Sequence, residues 1–242
     1  MAQPVAEPRA KCVRAAIVGF CLFLGIAPAY ARPVSYTGGW TLIEETDRQA
    51  TSLWLHYTTS PRWSVGARLE WDRRQDFVFA GAQVTGLAKR WFGENYQANL
   101  YAIAGAGVAG PVGRQSNTTG AADTAPAAFV GMLADWETRR FFVSYRNRYL
   151  VGETLRQPAG PGADEPSSNG QFFQAARFGA APYVGDTGDL HTWVMVEIDH
   201  RPRNDEPVGV TPLVRFFKGA ALLELGWSIT DGQPLANLTY RF

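Results

Sequence analysis

The chain has 242 residues, 46% of them hydrophobic and 19% charged, with a formal net charge of +1 at pH 7. That balance excludes a disordered polar chain and gives no electrostatic footprint for nucleic acid or another strongly charged partner. Its two cysteines, Cys12 and Cys21, lie within the first 31 residues, so a chain cut after Ala31 keeps no thiol for a disulfide framework or a cysteine metal site.

Residues 1–31 read as a secretory signal peptide, leaving 32–242 as one domain. Arg9, Lys11 and Arg14 form a basic n-region, Ala15 to Ile26 is an apolar run of 12 residues, and Ala29-Tyr30-Ala31 is a small-x-small cleavage site. A spanning helix needs about 20 apolar residues, so the run is too short for an anchor. Bulky Phe20 before Cys21 does not fit a lipoprotein signal. The segment carries three basic residues and one acidic (Glu7); removing its net +2 turns a +1 chain into a −1 chain of 211 residues.

Residues 32–242 show no helical period and a recurrent period of two. In Trp63–Asp72, Trp63, Val65, Ala67, Leu69 and Trp71 share one face, and Ser64, Gly66, Arg68, Glu70 and Asp72 share the other. The two tryptophans stand eight residues apart. At about 3.3 Å per residue and a tilt near 40°, that separates them by roughly 20 Å along a barrel axis. Two aromatic girdles around a membrane band fit this spacing; two core tryptophans are the alternative.

Twelve strands are expected in all: Tyr36–Glu45, Thr51–Thr58, Trp63–Asp72, Val78–Lys89, Gln97–Ala109, Ala127–Glu137, Phe141–Val151, Phe172–Ala181, His191–His200, Val208–Phe217, Ala221–Thr230 and Leu235–Phe242. Turn residues separate them, among them Ser60-Pro61, Gly93-Glu94-Asn95, Lys218-Gly219 and Asp231-Gly232. A weak second strand leaves ten strands as the fallback.

In the last strand, Ala236, Leu238, Tyr240 and Phe242 face one way and Leu235, Asn237, Thr239 and Arg241 the other. A strand ending the chain on an aromatic resembles the closing strand of a bacterial outer-membrane β-barrel. With the leader, the alternation and the aromatic pairs, the whole chain resembles that family. The resemblance implies an all-β, antiparallel transmembrane barrel with short periplasmic turns, exported to the outer membrane of a Gram-negative bacterium. It also implies two partners: outer-membrane lipid, and the assembly machinery that reads the strand ending in Phe242. Trp63, Trp71, Tyr240 and Phe242 then become membrane-girdle residues. The two longest gaps, Gly110–Pro126 and Gly152–Gln171, come after the fifth and seventh strands, so both fall at one end, the cell exterior.

The faces opposite the apolar residues would line the lumen. That assigns Arg68, Lys89, Arg146, Arg148, Arg177, Arg215 and Arg241 inward, with Glu70, Asp72, Asp135, Glu137, Glu197, Asp199 and Glu224. Trp54, Phe142 and Leu222 also fall on the inner faces, whereas Asn147 and Gln174 fall among the apolar ones. A balance of opposite charges predicts mutual pairing, since an ion removed from bulk water without a partner costs several kcal/mol. The lumen is then either a narrow pore for a small polar solute or a salt-bridged, partly plugged interior.

Other chemistry finds little support. Gly105-Ala106-Gly107-Val108-Ala109-Gly110 matches a dinucleotide fingerprint literally, but Pro111 and a polar loop stand where a helix must begin. The alternation instead turns Gly105 and Gly107 inward, making room for bulky neighbours. Neighbouring Asp199 and His200 point to opposite faces, His56 and Ser52 are too far apart to bond, and no His, Asp and Glu spacing suits a metal. No enzyme, cofactor or metal is therefore expected. A narrow pore stands first; a structural or adhesive barrel working through its outer loops, and a membrane-embedded hydrolase or acyltransferase, are the alternatives.

Overall fold

In a computed structural model, residues 33–112, 124–152, 155 and 170–242 are described. The expected leader, and most of the two long loops, lie outside them. Twelve strands succeed one another: β1 (Trp40–Thr46), β2 (Ala50–Ser60), β3 (Trp63–Asp72), β4 (Phe77–Phe92), β5 (Gln97–Pro111), β6 (Ala125–Glu137), β7 (Phe141–Gly152), β8 (Gly170–Ala180), β9 (His191–His200), β10 (Val208–Lys218), β11 (Ala221–Trp227) and β12 (Pro234–Arg241). Each pairs antiparallel with its neighbours in sequence, and β1 pairs with β12 from Thr41↔Arg241 to Thr46↔Ala236, closing the barrel. Closure leaves no free edge. The closed, all-β antiparallel barrel expected from the sequence is what the chain forms, and the fallback of ten strands is not needed.

Alternation decides which side chains face out. Along β3, Trp63, Val65, Leu69 and Trp71 are exposed, while Ser64, Arg68, Glu70 and Asp72 are buried. Leu53 and Leu55 on β2, Val130 on β6, Val194 and Ile198 on β9 and Leu223 and Leu225 on β11 continue an exposed apolar wall. An apolar surface of that extent needs a non-aqueous neighbour. Tyr240 and Phe242 point outward and stack, with ring centroids 6.1 Å apart.

Rows of paired residues climb around the barrel because the strands tilt. One row runs Trp63, Gly86, Ala102, Met132, Asn147, Gln174, His200, from the start of β3 to the end of β9; the end of the barrel where β5, β7 and β9 finish is termed the outer end and the other the inner end. Each of its steps rises by about 3 Å, from a strand spacing near 4.8 Å and a tilt near 40°.

Inside, two apolar clusters flank the charged middle. Phe77, Phe79, Ala109, Ala127, Phe129, Leu150 and Leu155 pack near the outer end of β4–β7, with Phe79 and Phe129 edge to face at 5.5 Å. Phe142, Met195, Leu213 and Leu235 form the other, with Trp193 against it. The glycines of β5 make the first cluster possible: a Cβ at Gly105 would collide with the Phe129 ring, and one at Gly107 with the β4 backbone. Replacing Gly105 with Val should therefore displace Phe129 and destabilise the barrel by about 1–3 kcal/mol. A lowered midpoint for loss of the compact, heat-modifiable gel form would show it; an unchanged midpoint would mean that Phe129 repacks freely.

Candidate functional site

Charged residues from many strands converge in the lumen. Glu70 on β3 accepts from Arg68 Nε on its own strand at 3.0 Å and from Arg148 on β7, four strands away around the barrel. Glu45 on β1 pairs with Arg146 of β7. Arg177 on β8 donates through Nε to Glu197 of β9 at 2.5 Å and through Nη1 to Glu224 of β11 at 2.7 Å. Arg215 of β10 donates to the other oxygen of Glu224 at 2.7 Å, and Asn237 of β12 also donates to that carboxylate. Arg146 lies 3.4 Å from Glu197 and Arg177 3.8 Å from Glu45, so these two arginines share two carboxylates.

Aromatic faces cover the remaining guanidinium surface. Arg68 lies 4.2 Å from the Trp54 ring, Arg215 4.4 Å from Phe142, and Phe173 has Arg201 at 4.3 Å and Arg146 at 5.0 Å. Such contacts stabilise a cation held away from bulk water.

A second network closes over part of the outer mouth. Arg48, in the β1–β2 turn, is 8% exposed. It donates to Asp199 at 3.1 Å, to Asp231 of the β11–β12 loop at 3.3 Å and to the Glu206 carbonyl of the β9–β10 loop at 3.1 Å. Arg201 donates to Asp47 at 2.5 Å, Gln49 to Asp72 at 2.6 Å and Asn204 to Gln49 at 3.0 Å. Burial alone would raise the Asp47 carboxyl, but the Arg201 guanidinium and the Ala50 and Gln49 amides hold it below the usual aspartate value.

Of the residues assigned inward by alternation, Arg68, Glu70, Asp72, Arg177, Glu197, Asp199, Glu224 and Arg241 are buried in the lumen. Arg146, Arg148, Arg215, Asp135 and Glu137 line its cavity. Asp135 accepts from Asn99 at 2.6 Å. Lys89 is the correction. The β4–β5 register shifts between Leu87 and Lys89, which reverses the alternation beyond that point. Lys89 therefore turns outward over the Trp91 ring at 5.2 Å, and Arg90 turns in to donate to Asn99 at 2.6 Å. The alternation did not single out Glu45, Asp47, Arg48, Gln49 or Arg201. Glu45 shares the parity of Thr41 and Ile43 and was legible; the others sit in turns and loops, where alternation assigns no face.

Asp199 and His200 do face opposite sides. His56 is fully buried, and neither ring nitrogen has a hydrogen-bond partner among the described residues. Among those residues no group of three or more His, Cys, Asp or Glu could hold a metal.

A cavity of about 270 Å³ remains between these side chains. It is lined from Asp47 and Arg201 at the outer mouth, past Glu70 and Arg148, to Glu137 and Phe217 near the inner end. Pro33, ahead of β1, also lines it, held by Ser64 Oγ donating to its carbonyl at 2.9 Å.

No protein-family model matches the chain. No curated protein matches it either. Among solved structures it is similar to a "KdgM porin in complex with disordered oligogalacturonate", at 8% identity and a TM-score of 0.45, over 84% of this chain and 98% of that one.

The networks carry two expectations. Glu70→Gln leaves the Arg68 and Arg148 cations facing one another and should cost about 3–5 kcal/mol. Asp205→Asn, which removes the exposed Arg74–Asp205 pair, should leave the unfolding midpoint unchanged. Denaturant titration in detergent compares the two variants; equal midpoints would refute the ranking. The second concerns acid. With its folded-state value depressed, Asp47 contributes stability that is complete above the ordinary value of about 4 and lost only as pH falls below it. Amide exchange in the β1–β2 turn should thus stay slow at about pH 5 and quicken in stronger acid; quickening already between neutrality and about pH 5 would contradict it.

Proposed function

We propose that the protein is a bacterial outer-membrane barrel whose lumen is a narrow, charge-paired channel for small polar solutes. The exposed apolar wall, with Trp63 and Trp71 roughly 20 Å apart, supports the membrane setting. The observation that carries the channel is the cavity lined by residues from both mouths of the barrel. Twelve strands lie between barrels that side chains fill and the sixteen-strand barrels that hold a wide aqueous channel. Here arginine–carboxylate pairs narrow what space there is. Because basic and acidic groups are interleaved, the passage favours neither anions nor cations strongly.

The pairs that brace opposite walls favour a second reading, a largely filled barrel acting through its outer loops. Planar-bilayer recordings separate the two. The channel reading expects small unitary steps with a reversal potential near zero in a salt gradient. Replacing Glu45 and Arg146 together with serine removes a cross-lumen pair while Arg177 keeps Glu197 and Glu224, and should enlarge the steps about twofold or more. Membrane insertion with no steps from either protein would reject the channel and leave the filled barrel.

A further inference from the structure

The outer wall carries a polar chain where an apolar surface is expected. Asn147 and Tyr145 on β7, Gln174 on β8 and His200 on β9 all belong to outward-facing positions. Asn147 Nδ2 donates to Tyr145 Oη at 3.3 Å, Tyr145 Oη to Gln174 Oε1 at 2.9 Å, and Gln174 Nε2 to His200 Nδ1 at 3.0 Å. At its start, the Met132 amide donates to Asn147 Oδ1 at 3.1 Å. Every bond therefore runs in one direction. An amide nitrogen can only donate, so His200 Nδ1 accepts and its proton sits on Nε2. That Nε2–H is a donor with no partner among the described residues.

Its height matters. His200 is six steps along the climbing row from Trp63, about 18 Å above the inner girdle and close to the level of Trp71. The chain thus begins within the apolar band and delivers its last donor at the outer boundary. Polar groups in such a wall are costly unless they are used.

We propose that the outer face of β7–β9 is a binding site for an outer-leaflet lipid, whose ester or phosphate oxygens accept from His200 Nε2–H while its acyl chains lie along the wall below. The site rests on the membrane setting proposed above but not on the channel. Complementarity selects this occupant. Ester and phosphate oxygens are acceptors only, whereas a second copy meeting this face symmetrically would set donor against donor.

Native mass spectrometry of the full chain, folded in detergent micelles and supplied with lipid A or phosphatidylglycerol, tests it. The wild type should retain one lipid, and Leu55→Val on β2 across the barrel should behave alike. Gln174→Leu and His200→Leu should retain roughly five- to tenfold less, the loss of about one hydrogen bond. His200→Gln, which keeps a donor, should recover most of the binding. Preference for one lipid over the other identifies the source of the acceptor oxygens. Equal retention by all variants, or a retained second chain that the Leu substitutions release, would overturn the lipid site while leaving the membrane setting intact. A chain that folds only as a water-soluble protein would instead overturn the membrane setting, and the lipid site with it.

Discussion

The interior depends on carboxylates that each serve two guanidiniums. Glu70 holds Arg68 from its own strand and Arg148 from β7, four strands away; Glu224 holds Arg177 and Arg215. An ion in the lumen has lost most of its water, so its partner must come from the protein. The partners come from distant strands, and β1, β3, β7, β8, β10 and β11 are tied together through the space they enclose. The same ties fix register. Sliding any of these strands by one residue would turn its charges into the apolar wall and its leucines into the lumen.

Packing and charge divide the lumen between them. Around the charged middle, phenylalanines and leucines fill the space, and Gly105 on β5 leaves room for the Phe129 ring. Arg48 does at the outer mouth what Glu70 does in the middle: it gathers three separate segments around one ion. Short turns suffice for that closure because the acceptors include Asp199, at the end of a strand, and a main-chain carbonyl of the adjoining loop.

Alternation made most of this legible in the residues alone. It placed the bounds of Trp63–Asp72 and His191–His200 where the strands lie, and turned Gly105 and Gly107 inward to make room for bulky neighbours. It failed where the chain stops alternating. One irregularity after Leu87 carries Lys89 outward and Arg90 inward, and nothing in the residues themselves announces it. Asp47, Arg48, Gln49 and Arg201 were invisible for the same reason, since a turn residue's direction is set by tertiary contacts. Asn147 and Gln174, by contrast, stood out as polar residues on apolar faces. Their misfit was the sign of the hydrogen-bonded chain on the outer wall.

A lumen full of ion pairs can be a barrier or a path, and the difference lies in how the pairs share. A solitary buried pair resists opening because separating it strands two charges. Arg146 and Arg177 are differently placed, since both lie within ion-pair reach of Glu45 and of Glu197. When one contact lengthens, the other still neutralises the arginine. Partner exchange of this kind lets the side chains bordering the cavity move without leaving an uncompensated ion. A polar solute can enter such a network by replacing one contact at a time, which a narrow channel requires and a rigid plug does not.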